Sequence, residues 1–202
     1  GSTIKTPVIQ IWHALGNMKK FGYTALDEAS GEGRSPKLAR LMHMHEGYDA
    51  IAISSLDFRE DFAAGFNADP AIIFEAPLPR VDLLLDSHRR ARARELFREA
   101  HPQLQDKQVI AYCPTFRRTR DSGTSHAMGS LMGAVDFNRY ALVYKPHPVS
   151  TLAIDDPRVI TASASDPDPL LIADYVISDY STIIYEAGLL GVPVFLYAYD
   201  WE

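Results

Sequence analysis

Tyr175-Val176-Ile177-Ser178-Asp179-Tyr180-Ser181-Thr182 opens a run that continues through the apolar segment Ile183–Leu190, Gly191 and Pro193 to Val194-Phe195-Leu196-Tyr197. Tyr175–Ile177 is apolar at successive positions, as a strand covered on both faces should be. Ser181–Leu190 follows as a helix, closed by Gly191 with Pro193 beyond it. Val194–Tyr197 is the next strand. Strand, helix and strand at this spacing predict a parallel α/β sheet, and the alternation extends upstream. Further strands are predicted at Val8–Trp12, Ala50–Ile53, Ala71–Phe74, Val109–Tyr112 and Ala141–Tyr144. Helices are predicted at Pro36–Glu46, which has a proline in its first turn, and at Leu56–Phe66, with Ser55 as N-cap. Two more are predicted at Ser87–Ala100 and Pro169–Ala173. The polar stretch His101–Lys107 divides the pattern into two Rossmann-like lobes, residues 1–104 and 105–202. Ser30–Arg34 and Asp121–Gly129, both containing glycine, are expected to be mobile surface loops.

Composition narrows the function classes. The chain has 202 residues, 47% of them hydrophobic and 23% charged, enough to build a core without disulfides or a structural metal. Cys113 is the single cysteine, which excludes an internal disulfide and a multi-cysteine zinc site and points to a reducing cytoplasm. A net charge of -6 gives no global basic field to attract nucleic acid. The longest apolar run, Val192–Tyr199, is too short to cross a bilayer. Arg89, Arg90, Arg92 and Arg94 spread over several faces of one predicted helix. A solvated surface is the leading reading there, and peripheral contact with an anionic membrane is the alternative. His43 and His45, two apart on a predicted helix, face different directions and are poor metal ligands. Neither a metal nor a cofactor is expected. Gly1-Ser2 looks like a scar of tag removal, and the N-terminal lobe is expected to be truncated.

Ligands of open α/β sheets bind beyond the carboxyl ends of the strands, so the strand–helix junctions carry the functional reading. Each presents titratable, cationic or hydroxyl groups. His13 follows the first strand, with the pKa range to take a proton from a hydroxyl at neutral pH. Pro114-Thr115 leads to Arg117 and Arg118, which can grip phosphate oxygens in two-pronged fashion. Lys145 and His147 sit on a turn stiffened by Pro146 and Pro148, placed to neutralise charge on a departing nucleotide phosphate. Asp179-Tyr180-Ser181-Thr182 opens a helix, where hydroxyls and backbone N–H groups suit a phosphate. Taken singly, each has a plainer reading: a structural histidine, a rigid Lys-Pro-His-Pro turn, a helix cap, a solvated arginine loop. With Pro77-Leu78-Pro79-Arg80-Val81-Asp82, which follows the strand ending near Phe74, five such junctions on one rim favour an anion site.

The same residues carry a family resemblance. Ile9-Gln10-Ile11-Trp12-His13 through Lys19-Lys20-Phe21-Gly22 resembles the Trp-His-Gly and Lys-Lys-Phe-Gly motifs of CDP-glycerol:poly(glycerophosphate) glycerophosphotransferases. The Tyr48-Asp49 to Ser54-Ser55 stretch, Pro79-Arg80-Val81-Asp82, Ala111-Tyr112-Cys113-Pro114-Thr115-Phe116-Arg117, Lys145-Pro146-His147-Pro148, Asp179-Tyr180-Ser181-Thr182 and Pro193 to Asp200 are similar to later motifs in the family's order. Together they span roughly residues 7–202. Two positions depart from the pattern: Ala14 stands where a glycine is expected, and Ser181-Thr182 replaces Ser-Ser.

The resemblance implies a GT-B fold of two Rossmann-like lobes, with the acceptor side and a base in residues 1–104 and the CDP-donor site in residues 105–202. It implies transfer of glycerol phosphate, or a related polyol phosphate, from CDP-glycerol or a similar CDP-polyol to a polymer or lipid-linked acceptor, with release of CMP. By the same resemblance His13 is the base and His147 stabilises the pyrophosphate. Asp179, Ser181 and Thr182 hold the donor phosphates, with Lys145, Arg117 and Arg80 as further phosphate contacts. Glu186 approaches the ribose, and Pro114 and Thr115 line the nucleotide. The setting implied is the cytoplasm, at the inner face of the membrane where lipid-linked acceptors lie. The alternatives are a GT-B glycosyltransferase that uses a CMP-sugar, such as a bacterial sialyltransferase, and a nucleotide-binding fragment without catalysis.

Overall fold

A computed structural model describes residues 6–26, 35–115, 121–147, 150, 152 and 154–199; the predicted loop 30–34, apart from its neighbours, lies outside these. The chain divides into two compact units, Gly1–Val81 and Asp82–Glu202.

The first unit runs β1 (Ile9–Ile11), α1 (Pro36–Leu41), β2 (Ala50–Ile53), α2 (Arg59–Phe66), β3 (Ile73–Glu75) and into α3 (Pro79–Leu85). Its three strands are parallel in the order β1-β2-β3, with Ile9 opposite Ala50 and Ile51 opposite Ile73. Ile51, Ile53 and Ile73 pack beneath Phe62, Ala63 and Phe66 of α2, and Trp12 and Phe21 join this cluster from the loop after β1. On the opposite sheet face Ile9, Ile11 and Phe74 are exposed.

Two helix ends explain why α1 and α2 stop where they do. Pro36–Glu46 was expected as one helix, yet α1 ends at Leu41. His43 turns left-handed (φ 51°) while the Met44 amide reaches back to the Ala39 carbonyl at 3.0 Å and the His43 amide to that of Arg40 at 3.1 Å. This is the closed C-terminal motif that glycine usually supplies. His43 and His45 therefore lie on a turn. In α2, Asn67 (φ 51°) ends the helix in the same way, with the Ala68 amide on the Ala63 carbonyl at 3.0 Å. Its first turn, Leu56–Phe58, is 3-10, with the Ser55 hydroxyl accepting from the Asp57 amide at 3.3 Å.

The second unit comprises α4 (Ser87–Ala100), β4 (Gln108–Cys113), α5 (Asp121–Ala134), β5 (Tyr140–Tyr144), β6 (Val159–Thr161), α6 (Pro169–Ile172), β7 (Tyr175–Ser178), α7 (Ile183–Leu189) and β8 (Val194–Leu196). All five strands are parallel, in the order β6-β5-β4-β7-β8. Val109, Ala111, Ala141, Val143 and Val176 turn to one face, against Ala93 and Phe97 of α4, Leu170–Ile172 of α6 and Ala187 of α7. Ile110, Tyr112, Leu142 and Tyr144 turn to the other, against Met128, Leu131 and Met132 of α5. Burial on both faces is why β4 and β5 read as unbroken apolar runs.

The parallel α/β architecture is the one expected; several details differ. The units divide ahead of α4, not at 104/105, because Ala93 and Phe97 of α4 belong to the core of the second unit. Asp121–Gly129, expected as a loop, lies in α5. Its glycines obscured a helical stripe of Ala127, Met128, Leu131 and Met132. The strand expected at Ala71–Phe74 begins at Ile73, because Asp69 caps a 3-10 turn over Pro70–Ile72. The short edge strand β6 and helix α3 were not anticipated. Nor is the arginine helix simply solvated. Arg90 donates to the Leu190 carbonyl at 3.2 Å, and Arg94 to the Ala173 carbonyl at 2.9 Å and to Asp174 at 3.0 Å. Arg92 is exposed and pairs with Glu95 at 2.5 Å. Among the described residues no helix is long and apolar enough to cross a membrane.

The Asp86 carboxylate caps α4, accepting from the His88 and Arg89 amides at 2.9 and 3.1 Å. Asp86→Ala is expected to lower the unfolding free energy by about 1 kcal/mol and Asp86→Asn to leave it nearly unchanged, as measured by urea titration.

Candidate functional site

In the second unit the chain steps from β4 to β5 and β6 on one side, then crosses to β7 and β8 on the other. The order reverses between β4 and β7, the point where open α/β sheets leave a crevice at their carboxyl edge. Two bonds join the strand ends there. The Ser178 hydroxyl, fully buried, donates to the Cys113 carbonyl at 2.7 Å. The Thr115 amide donates to both oxygens of the Asp179 carboxylate, at 3.1 and 3.0 Å. Asp179 is only 4% exposed, and backbone donors are what make a carboxylate tolerable there. Pro114 is buried and Thr115 half-buried beside it. At the end of β8, the Tyr197 amide donates to the Ser178 carbonyl at 2.6 Å.

Past β5, the Lys145 amide donates to the Tyr112 carbonyl at 2.9 Å, and its ammonium donates to Asp168 Oδ1 at 2.9 Å. That carboxylate also caps α6 through the Leu170 amide at 3.1 Å, so the lysine is tied to a helix start. His147 is exposed on the following turn, which closes through the Ser150 amide on the His147 carbonyl at 2.8 Å. Helix α7 starts two residues later than expected. Ser181 Oγ accepts from the Ile183 amide at 3.4 Å, Thr182 is half-buried, and Glu186, 8% exposed, lies one turn in.

The Cys113 thiol reports on these charges. Burial pushes it up to about 12; Lys145 opposes the shift, and Asp168, Glu186 and Asp179 add to it. Among the described residues, one ammonium and three carboxylates thus act on the end of β4. Carboxylates in that position suit hydroxyl donors. Asp168 and Ser178 were not singled out from sequence, although Asp168 before Pro169 is a recognisable N-cap signal.

In the first unit, His13 is exposed on the loop after β1, its ring centroid 4.5 Å from that of Trp12. The Trp12 amide donates to the Ala52 carbonyl at 3.0 Å. Gly16, buried and left-handed (φ 62°), donates its amide to Ser54 Oγ at 3.2 Å, tying this loop to the one after β2. Arg80 is half-buried in the first turn of α3, which follows β3. His13, Ser54 and Arg80 thus stand past the carboxyl ends of three successive strands. Within the second unit Pro114, Thr115, Lys145, His147, Asp179, Ser181, Thr182 and Glu186 likewise follow strand ends. Arg117 and Arg118 lie outside the described residues. No group of three or more His, Cys, Asp or Glu able to hold a metal occurs among the described residues.

Residues 3–202 match the family described as CDP-Glycerol:Poly(glycerophosphate) glycerophosphotransferase. The chain belongs to this family. Its relatives include the teichoic acid ribitol-phosphate primase of Bacillus spizizenii, 30% identical over 98% of this chain and 53% of that protein. The teichoic acid poly(ribitol-phosphate) polymerase of the same organism is 28% identical over 96% of this chain and 32% of the polymerase. Among solved structures, the wall teichoic acid polymerase TagF aligns with a TM-score of 0.75 at 23% identity, over 99% of this chain and 51% of TagF, a likeness of GT-B-like fold. The chain thus spans between about a third and about half the length of these relatives.

The environment of Cys113 sets an expectation for this glycerophosphotransferase-family chain. With its pKa near 12, the thiol is protonated and covered at pH 8. Iodoacetamide should leave it unmodified in the native protein and alkylate it fully in 6 M guanidinium, as read by intact mass.

Proposed function

We propose that this chain contributes to transfer of glycerol phosphate, or a related polyol phosphate, from a CDP-polyol to the hydroxyl of a polymer or lipid-linked acceptor. The family match over residues 3–202 carries this reading. In the reaction the acceptor oxygen attacks the polyol-bearing phosphorus of the diphosphate. A new P–O bond forms, the bond to the bridging oxygen breaks, CMP leaves with that electron pair, and the acceptor proton passes to a base.

His13 is proposed as that base. Its exposure at a strand end, on a loop pinned through Gly16 and Ser54, supports the assignment. The first unit then serves the acceptor and the second unit the donor. His147 stabilises the pyrophosphate, and Ser181 and Thr182 hold the donor phosphates. Asp179 is proposed to serve those phosphates through the backbone, its carboxylate orienting the Thr115 amide and the β4–β7 junction. Lys145, Arg117 and Arg80 are proposed as further phosphate contacts, Lys145 being held in place by Asp168. Glu186 is proposed to accept from the ribose, a role that suits a largely buried carboxylate one turn into α7, with Pro114 and Thr115 lining the nucleotide. The reaction is proposed to take place in the cytoplasm, at the inner face of the membrane where a lipid-linked acceptor would be met.

CMP release from CDP-glycerol, with a polyol-phosphate primer as acceptor, tests the assignments. His13→Ala should slow release on the order of 100-fold or more, the usual contribution of a general base, and leave CDP-glycerol binding in calorimetry intact. His147→Ala should weaken both. Turnover unchanged in both variants removes these roles.

A further inference from the structure

Gly65 is buried in α2, a position where glycine is the poorest helix former after proline. A methyl group there would run into the tip of the Phe21 ring, clashing with Cζ and lying 2.7 Å from both Cε1 and Cε2. Phe21 in turn meets Trp12 in a tilted contact with ring centroids 4.5 Å apart, and Trp12 meets His13 in another at the same 4.5 Å. Phe62 and Phe66 close round the pair, at 5.3 and 5.1 Å from Phe21 and 5.3 and 5.5 Å from Trp12. Gly22 fits the same seat from the other side. Its backbone is left-handed (φ 51°), and a Cβ there would strike the Gly65 carbonyl and come within 3.0 Å of His45 Nε2. Two glycines on different elements thus let the loop after β1 lie flat on α2, and three rings in contact lead from that seat to His13.

We propose that Gly65 is a positioning residue for His13, acting through the rings of Phe21 and Trp12. The inference deepens the reading of His13 as base and rests on it only for its consequence in turnover; the geometric claim stands separately. Gly65 needs no contact with substrate. It sets how deep Phe21 sits, hence the tilt of Trp12, hence the direction of the imidazole. Two apolar surfaces carry less: neither the groove at Tyr140, Tyr175 and Phe195 nor the exposed face of Ile9 and Ile11 shows what would cover it.

The test uses the whole chain and two readouts. The first is the imidazole proton resonance of His13, assigned with His13→Gln, which the neighbouring indole shifts by its ring current. The second is steady-state CMP release. Gly65→Ala should move the His13 resonance toward its random-coil position and lower kcat about tenfold, with KM for CDP-glycerol within twofold. Gly65→Ala/Phe21→Leu, which vacates the space the methyl needs, should recover part of both. Ala64→Gly weakens the same helix at an exposed position and should move neither, which separates positioning from mere stability. A Gly65→Ala protein that folds and keeps the wild-type His13 resonance overturns the inference. Should Gly65→Ala fail to fold, Phe21→Leu alone decides: the resonance moves if the relay holds and stays if it does not. Full turnover in His13→Gln would instead remove the base assignment and leave the resonance result to judge the relay.

Discussion

A buried carboxylate bridging two strand ends is the constraint on which the second unit depends. Asp179 follows β7, and both its oxygens accept from the Thr115 amide beyond β4. A carboxylate so enclosed is costly unless donors meet it, so the interaction fixes where the loops after β4 and β7 begin. Ser178 reinforces the join by donating to Cys113 one residue before. These short bonds fix the strand ends where the strand order reverses, and Lys145, Ser181 and Glu186 follow on their own strands and helices.

Among the described residues the charges at that edge are mixed rather than cationic. Lys145 is neutralised in place by Asp168, and Asp179 and Glu186 are both largely buried. Such an edge suits a ligand met by oriented backbone amides and hydroxyls, with carboxylates aligned to hydroxyl donors. A tethered lysine loses little side-chain entropy on meeting a ligand, which compensates in part for its shared charge.

The parallel α/β fold was legible because β4, β5 and β7 are buried on both faces and therefore apolar at successive positions. Elements whose signal is local and strong, such as α4 with its Asp86 cap, matched to the residue. Others were hidden by side chains performing unusual backbone work. His43 and Asn67 adopt the left-handed conformation normally marked by glycine, so the end of α1 left no trace in composition. Gly123 and Gly129 suggested a loop where tertiary burial of Ala127 and Met128 imposes a helix. At the site, strand-end residues were readable because topology alone sends them to one edge. Asp168 and the seat at Gly65 were not, since their partners lie far off in sequence and only packing reveals them.

The join between β4 and β7 also has a temporal side. Ser178 and Cys113 are 65 residues apart, and β4 is the central strand of its sheet. During synthesis at roughly 5–20 residues per second, β4 waits on the order of 3–13 seconds for its second neighbour. Pairing with β5 comes first and leaves the backbone N–H and C=O groups of the other edge of β4 open to other chains. β7 relieves the hazard by arriving with the hydroxyl and carboxylate that seal that edge.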